Sequence, residues 1–249
     1  MSSEIEINVL REWDRNYVRN KYKVAMLGVE GVYFPCINAK RIMVFFSSMG
    51  KDRFDRYSWF WEKNEIWEDT AYLFIKDDSF HYFLGTDDKP MKDSVRKVIS
   101  HYQELSSTTP ESTYMVGGSM GGYAAIYFAF YTQSRAAIVA NPQITYKAAR
   151  MHQFQNWERS IREMGSQWYD LDDFSKKYEV KPAIYLEYGN YMADKKGCES
   201  LIQSLIEEEC LLIVRKEKWD GHTVNSLFRN TIENAISFFE REPRNLPIK

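Results

Sequence analysis

A serine flanked by glycines is the residue of this 249-residue chain best placed to do chemistry. Gly117, Ser119 and Gly121 form the pattern Gly-x-Ser-x-Gly, after a short apolar run and before small and apolar residues. The pattern predicts a strand, a sharp turn carrying the Ser119 hydroxyl, and a helix, with glycines where strand and helix pass closely. The start of that helix favours negative charge, as an oxyanion requires. We interpret Ser119 as a nucleophile, and a glycine-rich turn without chemistry is the alternative.

A serine hydroxyl is a poor nucleophile at neutral pH, so a base must lie within hydrogen-bond reach of it. Four histidines are present, and His222 is the candidate because it lies in a loop between the last predicted strand and the last predicted helix. Such loops gather at the carboxyl ends of parallel strands, where functional groups meet. The other three are His81, His101 and His152.

The base needs a carboxylate that fixes its tautomer, and Asp194 is the candidate. It follows the predicted strand that ends at Tyr188, in a turn before a helix. Its alternative role is to cap that helix. Glu187 is a reserve candidate within the strand, whereas Asp220 is too close in sequence to His222 to reach the far side of its ring.

Apolar runs and their punctuation predict eight strands that alternate with helices from residue 41 onward. The strands are expected at 22–28, 32–37, 41–48, 70–75, from Thr113 to the elbow, 135–140, 182–188 and 211–215. The first two form a hairpin that turns at Glu30-Gly31. This order predicts a mostly parallel, doubly wound sheet with helices on both faces, in one domain spanning 1–249.

The spacing of apolar residues predicts three amphipathic helices between and after these strands. The first runs over 91–105, with Asp88 as its cap and Pro90 in its first turn. The others cover 198–206 and 224–239, and a further helix is expected within 54–67. Residues 144–180 show no strand pattern and mix aromatic with charged side chains, which predicts a helical insertion.

The amino-acid composition argues against several classes of protein and identifies none. The chain is 44% hydrophobic and 27% charged with a net charge of −2, which gives no argument for nucleic-acid or membrane binding. No apolar run approaches the roughly 20 residues of a membrane span, and the polar start is unlike a signal peptide. Cys36, Cys198 and Cys210 are expected to be reduced thiols, so we expect a cytoplasmic protein. No metal site is predicted.

The order Ser119, Asp194, His222 resembles that of the α/β-hydrolase fold, as does the succession of elements from about residue 22 to 240. The resemblance implies an eight-stranded, mostly parallel sheet and a helical lid between strands 6 and 7, here 144–180. It also implies an oxyanion hole made by the backbone N–H of Met120 and that of Ser48 or Met49. The loop Ser47-Ser48-Met49-Gly50 departs from the family because it lacks the His-Gly-Gly motif of many lipases.

The predicted triad implies acyl transfer through an acyl-Ser119 intermediate, to water in an esterase or to a hydroxyl in an acyltransferase. Aromatic faces beside polar groups suit sugar rings, and arginines suit phosphates or carboxylates. Trp59, Trp157 and Arg150 are therefore candidate substrate-binding residues, with core packing or a solvated helix face as the alternative.

Short stretches also look similar to hydrolase-fold proteins of bacterial surface-glycan pathways. These are Gly-Gly-Ser-Met-Gly-Gly at the elbow, Asn141-Pro142-Gln143, and the Asp-Gly-His of the base loop. Some of those proteins O-acetylate capsular polysaccharide from acetyl-CoA.

We expect a serine acyl-ester hydrolase without a cofactor, acting on a small-molecule ester or an acylated glycan. The alternatives are an O-acetyltransferase with acetyl-CoA as co-substrate, and a non-catalytic binding partner that keeps only the fold.

Overall fold

The computed structural model describes residues 19–58, 66–223 and 226–242. Within these ranges eight strands form one sheet in the order β1-β2-β4-β3-β5-β6-β7-β8. The strands are β1 (Lys23–Met26), β2 (Val29–Phe34), β3 (Arg41–Phe46), β4 (Thr70–Lys76), β5 (Thr113–Gly118), β6 (Ala136–Ala140), β7 (Ala183–Tyr188) and β8 (Leu212–Lys216).

The sheet is mostly parallel, which confirms the predicted fold class. β3 to β8 pair in parallel with their neighbours, while β2 pairs antiparallel with both β1 and β4. Every residue of β5, β6 and β7 is buried, as expected of strands covered on both faces. The carboxyl ends of β3, β5, β6, β7 and β8 therefore meet at one edge, where the candidate residues lie.

The helices flank this sheet. They are α1 (Lys92–Leu105), α2 (Met120–Tyr131), α3 (Tyr146–Ala149), α4 (Asn156–Met164), α5 (Leu171–Phe174), α6 (Met192–Glu207) and α7 (Arg229–Arg241). α2 is buried from Met120 to Phe130, so it is the central helix of the fold. In the described ranges no helix is long and apolar enough to cross a membrane.

The predicted insertion is helical and lies between β6 and β7. It contains α3, α4 and α5, with short 3₁₀ turns at Gly165–Gln167 and Ser175–Lys177. Its inner side is aromatic: the Trp168 ring stacks on the Tyr123 ring of α2 with centroids 4.4 Å apart. The Tyr123 hydroxyl also donates to the Tyr169 carbonyl oxygen at 2.9 Å. These contacts fix the insertion against α2, and its role as a lid stays a prediction.

The predicted hairpin turn is wrong by three residues. The chain reverses at Leu27 and Gly28, both with positive φ, while Glu30 and Gly31 lie inside β2. Gly28 has φ +79, which glycine adopts without steric cost. Gly31 is needed for another reason, because an added Cβ there would collide with the Phe74 carbonyl oxygen of β4.

The predicted starts of all three amphipathic helices are also wrong. α6 begins at Met192, six residues before the predicted 198, so Asp194 lies inside the helix and not in a turn before it. Asp88 and Pro90 precede α1 in a turn where the Met91 N–H donates to the Leu84 carbonyl oxygen at 2.7 Å, so α1 begins only at Lys92. α7 begins at Arg229, five residues after the predicted 224; residues 224–225 lie outside the described ranges. The helix expected within 54–67 falls largely outside them as well.

Candidate active site

Ser119 lies at the sharp turn between β5 and α2, as predicted. Its backbone has φ 55° and ψ −124°, a conformation that a residue with a side chain adopts only under strain. The surrounding chain holds it: the Ser119 N–H donates to the Ala140 carbonyl oxygen at 3.1 Å, and its own carbonyl accepts from the Tyr123 N–H at 3.0 Å. The residue is 4% exposed. The turn therefore presents one strained, nearly buried serine at the start of the central helix.

The two glycines of the motif are required by space. A Cβ on Gly117 would collide with the carbonyl of Gly121, where strand and helix cross. A Cβ on Gly121 would collide with the Phe46 carbonyl oxygen at the end of β3. Gly121 thus lets the loop after β3, which carries the predicted oxyanion donor, approach the first turn of α2.

His222 and Asp194 form the pair that the sequence predicts. The His222 Nδ1 lies 2.8 Å from both carboxylate oxygens of Asp194, although the residues come from the loops after β8 and β7. Because Nδ1 donates to the carboxylate, the neutral ring keeps its lone pair on Nε2. That Nε2 is buried, and no residue within 19–58, 66–223 or 226–242 bonds to it. The Ser119 hydroxyl is among the groups to which Nε2 does not bond, so the structure shows the predicted pair of acid and base but no hydrogen bond from the base to the serine.

Asp194 is 1% exposed in the first turn of α6. The alternative role as a helix cap does not hold, because Tyr191 is the N-cap and no side chain caps the helix. Burial raises the pKa of Asp194, while the hydrogen bond and the charge of His222 lower it, and the rise prevails. Among the described residues, the His222 imidazole is the partner that stabilises the ionised form of this carboxylate.

The other acids considered do not reach His222. The Glu187 carboxylate accepts from the Tyr185 hydroxyl at 2.9 Å and lies 3.6 Å from Arg215 Nη1. Asp220 is exposed in the loop before His222.

Asn141 joins the loops that carry these groups. Its Nδ2 donates to the Thr223 carbonyl oxygen beside His222, and its Oδ1 accepts from the Gly189 N–H at 2.9 Å, at the end of β7. Two residues further on, the Gln143 N–H donates to the Ser119 carbonyl oxygen at 3.4 Å. One short loop after β6 thus contacts the nucleophile, the base loop and the acid loop. Sequence reasoning missed these roles, although the Asn-Pro-Gln turn at a strand end was the available signal.

The two alternatives for the second oxyanion donor differ in the structure. The Ser48 N–H donates to the buried Asp55 carboxylate at 2.7 Å, so it is already used. The predicted alternative, Met49, follows in the same loop, and its Sδ lies 3.8 Å from Asn156 Nδ2 at the start of α4. The Met120 N–H is at the first position of α2, where backbone donors have no partner within the helix. The sequence did not indicate that Asp55 would accept the Ser48 N–H and so remove it from the candidate oxyanion donors.

The predicted substrate-binding residues have three different outcomes. Trp157 is buried in α4 beside the site, with its ring centroid 4.7 Å from that of His222. Arg150 is exposed and pairs with Glu158 at 3.6 Å, so nothing brings it to the site. Trp59 lies outside the described residues.

A second histidine lies next to the first, which sequence reasoning missed. The His152 ring stacks on Trp157 with centroids 3.7 Å apart and planes 6° apart, and lies 6.4 Å from the His222 ring. Its Nδ1 lies 2.8 Å from the Tyr191 hydroxyl, which also accepts from the Gln153 N–H at 3.1 Å. Burial and the neighbouring His222 lower the pKa of His152 to about 4. His152 is thus neutral at neutral pH.

Comparison with known proteins adds information on the fold. No protein-family model and no curated protein sequence matches the chain. Solved structures do: the capsule O-acetyltransferase of Neisseria meningitidis serogroup A matches with TM-score 0.65 and 16% identity over 88% of this chain and 94% of its own. The same acetyltransferase has been solved as a variant in complex with CoA.

Two proteins of Staphylococcus aureus match over similar lengths. The fluorophosphonate-binding serine hydrolase FphF has TM-score 0.62 and 14% identity over 89% of this chain and 96% of its own. The S-formylglutathione hydrolase FrmB has TM-score 0.59 and 14% identity over 85% and 92%. With its strand order, its elbow and these likenesses, the chain has the α/β-hydrolase fold.

Proposed function

We propose that the protein is a serine-dependent acyl-ester hydrolase, with acylated carbohydrate as its candidate substrate class. One observation carries the proposal: the His222 Nδ1 lies 2.8 Å from both oxygens of a buried carboxylate, at the same edge of the sheet as a serine on a strained elbow. Burying this carboxylate costs stability that an apolar side chain of similar size would not cost, which supports a role beyond folding. The Asn141 loop, which contacts both the Ser119 backbone and the base loop, supports their acting together.

In the proposed reaction, the Ser119 Oγ attacks the acyl carbonyl carbon while His222 Nε2 takes the hydroxyl proton. Asp194 holds the tautomer and stabilises the imidazolium. The oxyanion accepts hydrogen bonds from the backbone N–H groups of Met120 and Met49. The bond to the alcohol oxygen then breaks, His222 protonates that oxygen, and acyl-Ser119 remains. A water molecule then attacks the carbonyl carbon of acyl-Ser119 while His222 takes its proton. The carboxylic acid is released as His222 returns the proton to the Ser119 Oγ.

The base and the oxyanion donors each contribute enough to the rate for a mutation to reveal it. Positioned proton transfer contributes roughly 10² to 10⁴ in rate, and one oxyanion donor about 3 kcal/mol. Without either, Ser119 would have almost no activity.

An acetyl-CoA-dependent O-acetyltransferase of a bacterial capsular or surface glycan is the second candidate. It is favoured by the likeness to a capsule O-acetyltransferase, one variant of which has been solved with CoA. Here Ser119 would attack the thioester, the CoA thiolate would leave with the proton from His222, and a sugar hydroxyl would take the place of water.

Two substrates separate the candidates. We expect the protein to hydrolyse p-nitrophenyl acetate without any acceptor. If it instead consumes acetyl-CoA only when an oligosaccharide is present, and transfers the acetyl group to it, the acetyltransferase is correct.

Ser119→Ala and His222→Ala should each abolish turnover in either assay and leave the melting temperature nearly unchanged. A large loss of stability would show that these side chains are structural. Full activity in Ser119→Ala would show that Ser119 is not the nucleophile. No turnover by the wild type in either assay, together with no fluorophosphonate label on Ser119, would favour the third alternative, in which the fold serves as a non-catalytic binding partner.

A further inference from the structure

Buried polar atoms without partners occur on three loops at the carboxyl edge of the sheet. They are the Ser48 Oγ after β3, both amide atoms of Gln143 after β6, and the His222 Nε2 after β8; none bonds to any part of the chain that the structure describes. The proposed reaction uses His222 Nε2. It gives no role to the Gln143 carboxamide, which is 4% exposed.

The position of Gln143 is fixed against the nucleophile. Its N–H donates to the Ser119 carbonyl oxygen at 3.4 Å. Pro142 lies against the first turn of α2, where a Cβ added to Gly122 would be 2.9 Å from the Pro142 Cβ. Asn141 bonds the same loop to Thr223, directly after His222. The backbone of Gln143 is therefore held between the Ser119 elbow and the loop that carries His222.

A buried carboxamide with neither its donors nor its acceptor satisfied destabilises the fold, and an apolar side chain of similar size would not. The chain offers a direct contrast, because the other buried glutamine, Gln103, donates from Nε2 to the Thr113 Oγ1 at 2.7 Å. Among the described residues, the Gln103 amide has a partner and the Gln143 amide has none. A substrate hydroxyl that bonds such an amide removes this cost, and a substrate without the hydroxyl does not.

The chemistry of the amide defines that substrate group. It presents two N–H donors and one carbonyl acceptor, so its complement has both an acceptor and a donor. A hydroxyl supplies both, and two hydroxyls on neighbouring carbons satisfy both ends of the amide. On the base side of Ser119 lies the alcohol oxygen that His222 protonates or deprotonates.

We propose that Gln143 determines specificity by binding hydroxyl groups of the alcohol half of the substrate, next to the oxygen that carries the acyl group. This rests on the proposed function and narrows it to esters of polyhydroxylated alcohols, such as sugars. It applies equally if the alcohol is the acceptor in an acetyl transfer.

The test compares two Gln→Leu variants on two esters. Gln143→Leu keeps the approximate volume and removes donor and acceptor, and Gln103→Leu is the matched control. The esters are a mono-O-acetylated methyl glycoside, which has free neighbouring hydroxyls, and p-nitrophenyl acetate, which has none. If the protein proves to be a transferase, acetyl-CoA with a methyl glycoside or n-propanol replaces the two esters.

We expect Gln143→Leu to lower kcat/KM for the sugar ester about tenfold more than for p-nitrophenyl acetate, as the loss of a hydrogen bond implies. Its melting temperature should equal or exceed that of the wild type. Gln103→Leu should melt at a lower temperature, because Thr113 loses its partner, and should show no change in the ratio of the two activities.

Equal losses on both esters, or a loss of stability in Gln143→Leu like that in Gln103→Leu, would overturn the assignment. Failure of the proposed function is distinguishable. If the wild type turns over p-nitrophenyl acetate and Ser119→Ala does not, the enzyme assignment stands whatever Gln143 does. If the wild type turns over neither ester and transfers no acetyl group, both assignments fall.

Discussion

At the scale of single residues, the Asp194 carboxylate is the most informative group because its burial opposes folding. Its raised pKa means that the folded chain holds this proton more readily than the unfolded chain does. The ionised side chain therefore lowers the stability of the fold at neutral pH, and this cost disappears as the pH falls through its folded pKa. In the proposed mechanism, this cost is offset by the role of the carboxylate in holding His222.

We expect Asp194→Asn to lower kcat by roughly 10⁴-fold, because the amide no longer selects the tautomer with a free Nε2. Thermal melts at pH 7 should show a variant at least as stable as the wild type, and acidification should reduce the difference. Asp220→Asn, in the exposed neighbouring loop, should retain activity. A variant of Asp194 that melts far below the wild type at pH 7 would contradict this account.

His152 has the opposite dependence on pH. Its pKa is lowered to about 4, so the unfolded chain binds this proton at a pH where the folded chain does not. Stability is therefore lost as the pH falls from about 6.5, the ordinary value for histidine, towards 4. His152→Phe keeps a flat ring against Trp157 and removes the titrating group.

Urea denaturation at pH 7 and pH 4.5 measures this effect. We expect His152→Phe to lose less stability between the two values than the wild type does, and exposed His101→Phe to follow the wild type. If all three chains lose the same stability, His152 is not held neutral by its surroundings.

At the scale of elements, the site is assembled from loops rather than from one strand or helix. The Asn190 N–H donates to the Trp219 carbonyl oxygen at 2.6 Å, which joins the acid loop to the base loop. Asn141 joins both to the end of β6 through two side-chain bonds. The sheet fixes where each loop starts, and these hydrogen bonds fix the path of the loop and the position of its functional residue.

Asn141→Ala should therefore damage stability and activity together. It leaves the Thr223 carbonyl and the Gly189 N–H without their partner, a cost of about 2 kcal/mol and a loss of about 5 °C in melting temperature. Displacement of His222 should lower kcat roughly 10- to 100-fold. Exposed Asn234→Ala in α7 is the control. A stable Asn141→Ala protein with full activity would show that the loops are held by other means.

At the scale of the whole molecule, the sequence indicated the fold because its signals are local and repeated. Buried strands are continuous apolar runs, and Gly117 is required by its contact with Gly121 across the elbow, although Gly121 is required by a contact with Phe46 of β3. The predicted order of acid and base followed from where strands end. The errors at Glu30-Gly31 and at the start of α1 arose because another turn close by in the sequence decides each boundary, at Leu27-Gly28 and between Leu84 and Met91.

What the sequence did not indicate depends on pairing between distant segments. The sequence neighbours of Gln143 and Gln103 do not show that the Gln103 amide bonds to Thr113, whereas the Gln143 amide has no partner among the described residues. The use of the Ser48 N–H by Asp55, the exposed ion pair of Arg150 and the stacking of His152 on Trp157 are likewise results of tertiary structure.

The central claim is that Ser119 is an activated nucleophile in the folded protein, and covalent labelling tests it most directly. A fluorophosphonate probe, followed by peptide mass spectrometry, should modify Ser119 in the native wild type. Labelling should disappear in Ser119→Ala and fall strongly in His222→Ala and Asp194→Asn. No label on Ser119 in the folded wild type, or equal labelling when His222 is removed, would contradict the account.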